Sequence, residues 1–255
     1  MNLLVSTIDN RPQLVNLKQI LDENNRIAVV GKPCDIAAVR QYIDIHPEYS
    51  KKIFCTLSFM CMGLPSQNAT NDLISSLGVK DLDQVKELKY RGSGWPGNAS
   101  VITKNDQTYS CSYQTSWGDV LCKNILFRCK ICPDGWGSFA DISSGDAWYT
   151  DGEGPVFDEK PGRSFLFIRN PWGQEITNSI TEYLTVADYD IKELPIIQKS
   201  QHARKDRVWS SYLVLKIMGD RLLKFKGLGM WSRMFKSTPR ATASEVYGFL
   251  KRLDR

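Results

Sequence analysis

Histidine is scarce in this chain: His46 and His202 are the only two among 255 residues. Both read as exposed and neither lies near a cysteine motif, so a zinc enzyme or a Cys–His nucleophile pair is hard to assemble. Long apolar runs are also missing, and nothing approaches the roughly 18 consecutive residues that a membrane span requires. The opening MNLLVSTIDNRPQ is too polar for a secretory signal, which places the expected location in the cytoplasm. No internal repeat or low-complexity run occurs. The glycines between Tyr90 and Val101 are not a dinucleotide fingerprint, because no helical pattern opens after them.

What is present is cysteine, seven in all. In a reducing compartment, cysteines serve more often as ligands, catalysts or small buried residues than as bridges. Cys129 and Cys132 are paired as C-x-x-C with Pro133 directly after, a turn that lets two thiolates converge on one metal or cluster. Beyond it, a Gly135–Gly137 turn and an alternating run predict a loop feeding a short strand that delivers Asp141, Asp146 and Trp148 nearby.

Taken in order, 13–25 carries leucines and isoleucine at helical spacing, RIAVVG at 26–31 is a buried strand, and GKPCDIAAVRQYI turns into a second helix. Cys34 then stands in that helix's first turn, where free N–H groups and Lys32 are expected to lower its thiol pKa. A second strand runs from Lys51 to Gly63, followed by a helix capped by Ser66. Cys61 adjoins the turn at the strand's C-terminal end, while Cys55 is a core residue on the same face by alternation. A hairpin spans 98–114 with KNDQ at its tip and Cys111 in a strand. Cys122 is read as packing. An acidic surface loop covers 151–162. SFLFIRN is a strand, 174–185 a short helix and 189–194 a strand-like connector. The overall expectation is α/β, an open mixed sheet with flanking helices.

Charge divides the chain. From Lys199 onward, 14 Lys and Arg face only 4 Asp and Glu, although the whole chain sums to +5. Residues 1–195 are therefore read as the main domain and 196–255 as a basic helical tail, with apolar spacing from Val208 to Phe225 and a last helix at 244–253. Such a tail suits an acidic partner protein or a peripheral membrane contact, and no nucleic acid is expected.

Cys34, Cys61, Cys129 and Cys132 thus stand in turn or strand-end positions. Four thiolates suit a 4Fe–4S cluster or a tetrahedral zinc ion. Spacing leans to iron–sulfur, since structural zinc sites usually come as two close pairs.

AVVGKPCDIAAVR, FMCMGLPSQNAT, YRGSGWPG and RCKICPDGWGSFADISSGDAW, in this order, resemble the family of coenzyme F420 hydrogenase/dehydrogenase beta subunits. The resemblance implies FAD and a 4Fe–4S cluster on Cys34, Cys61, Cys129 and Cys132, with the YRGSGWPG loop (Arg91, Gly94, Trp95) and the GDAW segment (Asp146) near the flavin. As cations and carboxylates, Lys32 and Asp141 are expected to join Arg91 and Asp146 in holding it. It further implies an oxidoreductase passing electrons between a hydride carrier of the coenzyme F420 type, or an organic substrate, and a one-electron carrier. A polysaccharide-synthesis setting is among those in which relatives occur. The expected partner is a ferredoxin or a hydrogenase/dehydrogenase subunit. Family members have a longer portion before the GKPC strand, so the chain reads as shortened there. The competing reading is a zinc-stabilised adaptor docking through its basic tail, and a third is a Cys129–Cys132 thiol redox pair.

Overall fold

The computed structural model describes residues 2–5, 14–219 and 227–253. Five strands form the main sheet: β1 (Asn2–Val5), β2 (Ile27–Gly31), β3 (Ile53–Phe59), β7 (Ile142–Asp146) and β10 (Ser164–Ile168), in that spatial order. The first four run parallel, and β10 pairs antiparallel with β7 at the edge. Helices α1 (Leu17–Glu23) and α2 (Pro33–Ile45) are the crossovers between the parallel neighbours. The fold is the mixed α/β arrangement expected from the sequence.

Local chemistry sets the helix starts. Pro33 opens α2, where its fixed φ suits a helix and its missing N–H costs nothing. The Asp35 carboxylate accepts from the Lys32 N–H at 3.1 Å, closing that end. Helix α3 (Gln67–Ser76) is capped as expected, with Ser66 Oγ accepting from the Ala69 N–H at 3.1 Å.

Between β3 and β7 the chain builds a smaller antiparallel sheet of β4 (Val85–Lys89), β5 (Ala99–Thr103) and β6 (Thr108–Cys111). The expected hairpin is β5–β6, with Asp106 at φ 60° in its tip. A π-helical turn at Gln114–Val120 and a one-turn helix, α4 (Phe127–Lys130), lead back toward the main sheet. The two-stranded ribbon of β8 (Tyr149–Thr150) and β9 (Pro155–Val156) starts just before the expected surface loop, which is otherwise turn and loop with only Pro155 and Val156 in a strand.

One face of the main sheet packs Ile27, Val29 and Ala140 against Leu17, Leu21, Ile36 and Val39 of α1 and α2. A second cluster joins Trp136, Ala147, Trp148 and Phe165 to Leu194 and Ile197 of α6 (Leu194–Ile197). Full burial of one such aliphatic side chain stabilises by about 1.5–3 kcal/mol, and Leu21, Ile27 and Ile36 are all wholly buried.

Helix α5 (Pro171–Ser179) starts earlier than its apolar spacing indicated, because Asn170 Oδ1 caps it by accepting from the Gly173 N–H at 2.8 Å. The expected strand-like connector is instead a short 3₁₀ turn at Ile191–Glu193, started by the Asp190 side chain accepting from the Lys192 N–H. In the basic tail, α7 (Lys199–Ile217) and α8 (Pro239–Leu253) pack Val208, Trp209, Tyr212, Leu215 and Phe249 together with Ile131 of the C-x-x-C turn. The expected continuation of the helix to Phe225 lies, from 220 on, outside the described residues.

Candidate functional site

Each of the four thiols is carried by a different local device. Cys34 occupies the first turn of α2. Cys61 lies two residues past β3, which ends at Phe59, and its backbone N–H donates to the Gly135 carbonyl at 2.9 Å. The strand stops too soon for the expected Cys55–Cys61 alternation. Cys55 is buried within β3, as a core residue should be. Cys129 belongs to α4, and the Cys132 N–H reaches the Cys129 carbonyl at 3.3 Å.

These sequence-distant thiols share one neighbourhood. Cys34 feels the charges of Cys61 and Cys129, Cys61 feels Cys129, and Cys132 feels both Cys34 and Cys61. Two successive amides serve the sulfurs: the Gly63 backbone hydrogen-bonds the Cys61 thiol, and the Leu64 N–H donates to Cys129 Sγ at 3.3 Å. Consecutive N–H groups of this kind favour negative charge on sulfur. Gly63 makes the approach possible, with φ at +126° and a would-be Cβ only 3.0 Å from Cys129 Cβ. Among the described residues no three His, Cys, Asp or Glu side chains converge tightly enough to grip a single ion.

Burial dominates the thiol acidities. Desolvation of the sulfur by its neighbours pushes Cys34 up to about 11 although the residue itself is exposed, assisted by Asp35 and the neighbouring thiolates, with Lys32 opposing. The first-turn position therefore does not lower that pKa, contrary to expectation, because desolvation of the thiolate outweighs Lys32. Burial also drives Cys132 up to about 12 and raises Cys61, opposed in both cases by Arg204. Metal binding removes this penalty by replacing the thiol proton.

Arg204 was not legible as a site residue. It comes from α7, where its guanidinium donates to the Cys129 carbonyl at 3.3 Å and to the Met62 carbonyl at 2.5 Å. It also lines a cavity of about 360 Å³ with Met62, Cys122, Lys123, Ile125 and Lys130. Gln201, one turn earlier, is buried against Gly135, its Oε1 without a hydrogen-bond partner among the described residues. The basic tail was visible in the sequence, but which of its cations turns inward was not. Cys122, read as packing, is exposed in a 3₁₀ turn at Leu121–Asn124. His46 and His202 are half-buried beside Glu48 and Asp206.

The six residues expected around a flavin fall into three places. Lys32 is buried beside the thiols and paired with Asp35 at 2.8 Å. Asp141 braces the sheet: it accepts from Thr56 N at 2.7 Å, Thr56 Oγ1 at 2.8 Å, Arg40 Nη2 at 2.8 Å and Asn170 Nδ2 at 2.6 Å. Arg91, Gly94, Trp95 and Asp146 do stand together. Arg91 Nη1 meets Asp146 at 2.7 Å and its Nε donates to the Pro96 carbonyl at 2.8 Å. Trp95 Nε1 donates to the other Asp146 oxygen at 3.1 Å, and its ring lies 4.7 Å from that of Trp148. Gly94 faces the Glu159 carboxylate.

A sequence model described as coenzyme F420 hydrogenase/dehydrogenase, C terminus of the beta subunit, matches residues 24–192. The F subunit of the F(420)H(2) dehydrogenase from Methanosarcina mazei is 29% identical over 148 residues, 57% of this chain and 39% of that protein. The chain therefore spans well under half the length of this curated relative. Among solved structures, a chain of the xenon-derivatised F420-reducing NiFe hydrogenase complex from Methanosarcina barkeri superposes with a TM-score of 0.56. That likeness covers 83% of this chain and 70% of the other at 21% identity, and it speaks to fold. With a match running through Cys34, Cys61, Cys129 and Cys132 and over most of its length, the chain belongs to the family defined by the C-terminal part of coenzyme F420 hydrogenase/dehydrogenase beta subunits.

Proposed function

We propose that this chain is the iron–sulfur portion of an F420-type oxidoreductase, with Cys34, Cys61, Cys129 and Cys132 as the ligands of a 4Fe–4S cluster. The observation that carries the reading is the meeting of three thiol-bearing segments at one place, with the Gly63 and Leu64 amides serving two of the sulfurs. The family match favours a cluster over a zinc ion, because the matched segment runs through all four cysteines and belongs to coenzyme F420 hydrogenase/dehydrogenase beta subunits.

When bound, the cluster supplies one-electron storage and transfer. The protein's own part is to bind, shield and bias it. Cys34 and Cys132 are held in surroundings that disfavour a bare thiolate, so they would lose their protons to solvent when iron takes the proton's place on sulfur. Lys32 and Arg204 supply positive charge, and the 63–64 amides supply dipoles.

FAD, which the family resemblance implies, is assigned no step. Its proposed contact is the edge of the Arg91–Trp95–Asp146 group, where the Arg91 and Asp146 side chains each keep 31% of their surface. The guanidinium there suits phosphate or a reduced isoalloxazine, and the indole suits a planar ring. The electron donor or acceptor is proposed to be coenzyme F420 or an organic substrate on one side. On the other it is a ferredoxin or a hydrogenase/dehydrogenase subunit. The test is anaerobic purification with iron and acid-labile sulfide analysis, where about four of each per chain support the reading. Stoichiometric zinc with neither iron nor sulfide contradicts it.

A further inference from the structure

Among the contacts that the C-terminal helices make with the ligand loops, those of Arg204 are the polar ones that touch two loops at once, and Arg204 lies outside the 24–192 segment matched by the family. Its Nη1 donates to the carbonyl of Cys129, and its Nη2 donates to the carbonyl of Met62, the residue directly after Cys61. The same Nη2 stands 3.2 Å from Met62 Sδ. One planar guanidinium thus bridges two loops more than 60 positions apart, each bearing a proposed ligand. The fork geometry is the reason for arginine here, since a lysine ammonium cannot span two carbonyls with the same fixed directions.

The rest of α7 holds Arg204 in place. Val208, Trp209 and Tyr212 are buried in a cluster that includes Ile131, between the paired cysteines. On the N-terminal side, Gln201 is buried against Gly135, whose carbonyl receives the Cys61 N–H. The guanidinium therefore sits between two packed anchor points and is not a solvated tail cation. Its positive charge is felt at Cys61 and Cys132, both otherwise dominated by burial.

We propose that Arg204 is the positioning residue of the cluster site: it ties the Cys61 loop to the C-x-x-C turn and, by its charge, stabilises the reduced cluster. This rests on the iron–sulfur reading given above. Reduction by one electron adds one negative charge to the site, and a cation anchored on the ligand loops lowers the free energy of that state relative to the oxidised one. The basic tail acquires a function inside the protein, distinct from any role on its surface.

Arg204→Lys and Arg204→Gln separate the two contributions. Iron and sulfide are first measured on the unaltered full-length protein prepared anaerobically, and its midpoint potential is read by dithionite titration. Arg204→Gln is expected to shift the midpoint to more negative potential and to speed iron loss to a chelator several-fold. Arg204→Lys is expected to keep most of the potential, because the charge remains, while still losing iron faster, because the fork is gone. In the metal-free protein, iodoacetamide is expected to label Cys129 and Cys132 faster in both variants. A cluster whose potential, chelator resistance and metal-free labelling are all unchanged in Arg204→Gln overturns the inference and leaves the iron–sulfur reading standing. A native protein with no iron overturns that reading and the cluster role of Arg204 with it. If Arg204→Gln fails to fold, the same comparison is made with Arg204→Lys, where unchanged iron loss and unchanged labelling overturn the clamp.

Discussion

The Leu64 backbone N–H donates to Cys129 Sγ across 3.3 Å, joining the loop after Cys61 to the turn of the C-x-x-C pair. Cys61 and Cys129 thereby belong to one assembled site although their segments are separated by the whole inserted small sheet. From this follows a division of the seven cysteines. Serine at 34, 61, 129 or 132 is expected to remove most of the iron, whereas Cys55→Ala, Cys111→Ser and Cys122→Ser retain it. Iron and sulfide per chain, measured after anaerobic purification of each variant, decide the matter.

Gly63 permits the close passage of that loop over Cys129. An alanine there must adopt φ +126° and place its Cβ 3.0 Å from both Cys129 Cβ and Ile125 Cδ1. Gly63→Ala is expected to lower stability by about 1–3 kcal/mol through backbone strain alone and to weaken iron retention. Gly152→Ala serves as the control. It also has positive φ but nothing within 4 Å, so it isolates the strain from the collision. Thermal melts and chelator-resistant iron give the two readouts.

Metal-free protein is expected to lose stability in alkali. Cys34 and Cys132 are pushed from the ordinary 9.0 to about 11 and about 12, chiefly by burial. The folded chain then holds more protons than the unfolded chain between those limits, so unfolding free energy falls as pH rises. The contribution is fully present below pH 9 and lost as pH climbs through the folded values. Urea melts at successive pH values on wild-type and Cys132→Ala apoprotein measure it. Equal alkaline slopes in the two proteins contradict the assignment.

Asp141 gives the opposite sign. Burial alone would raise its pKa, but hydrogen bonds from Asn170 and Thr56 and the Arg40 charge outweigh it and hold the carboxyl below its usual 3.8. Its stabilisation is present above that value and is lost as pH falls through the lower folded one. Asp141→Ala strands several donors at once and is expected to cost about 2–4 kcal/mol, at roughly 1–3 kcal/mol per unsatisfied buried group. Denaturant melts at pH 7 and pH 3 should show the difference between variant and wild type shrinking in acid.

The Arg91–Asp146 pair carries the proposed flavin contact. Arg91→Gln removes the charge that would meet a phosphate or reduced flavin and is expected to weaken FAD binding several-fold. The iron content should stay unchanged, because Arg91 lies on the small-sheet side of the fold and makes its ion pair with Asp146. Fluorescence titration with FAD, alongside iron analysis, tests both halves; loss of iron without change in FAD affinity contradicts the placement.

How much of this was legible depended on whether the cause was local. Pro33 and Ser66 announce α2 and α3 because a helix start is decided within one turn of chain. The C-x-x-C turn and the hairpin tip at 104–107 are legible for the same reason. Tertiary partners are not. Asp141 is a sheet brace because Thr56, Arg40 and Asn170 converge on it from three other elements, and no spacing rule encodes that convergence. Arg204 is one cation among 14 in the basic tail until packing of α7 against Ile131 turns it toward the ligand loops. Cys34 shows the same limit in its acidity, since a favourable first-turn position is outweighed by desolvation of the sulfur and by the Asp35, Cys61 and Cys129 charges that only the folded chain brings near it. The four thiols were singled out from turn positions together with family resemblance; the structure adds that they influence one another's acidity and that the Leu64 N–H links the Cys61 loop to Cys129.

The most direct single measurement is low-temperature electron paramagnetic resonance on the dithionite-reduced, anaerobically purified protein, with iron counted on the same sample. The account predicts about four irons per chain and one reduced-cluster signal that disappears in the Cys61→Ser variant. An iron-free protein, or a signal of undiminished intensity in that variant, contradicts it.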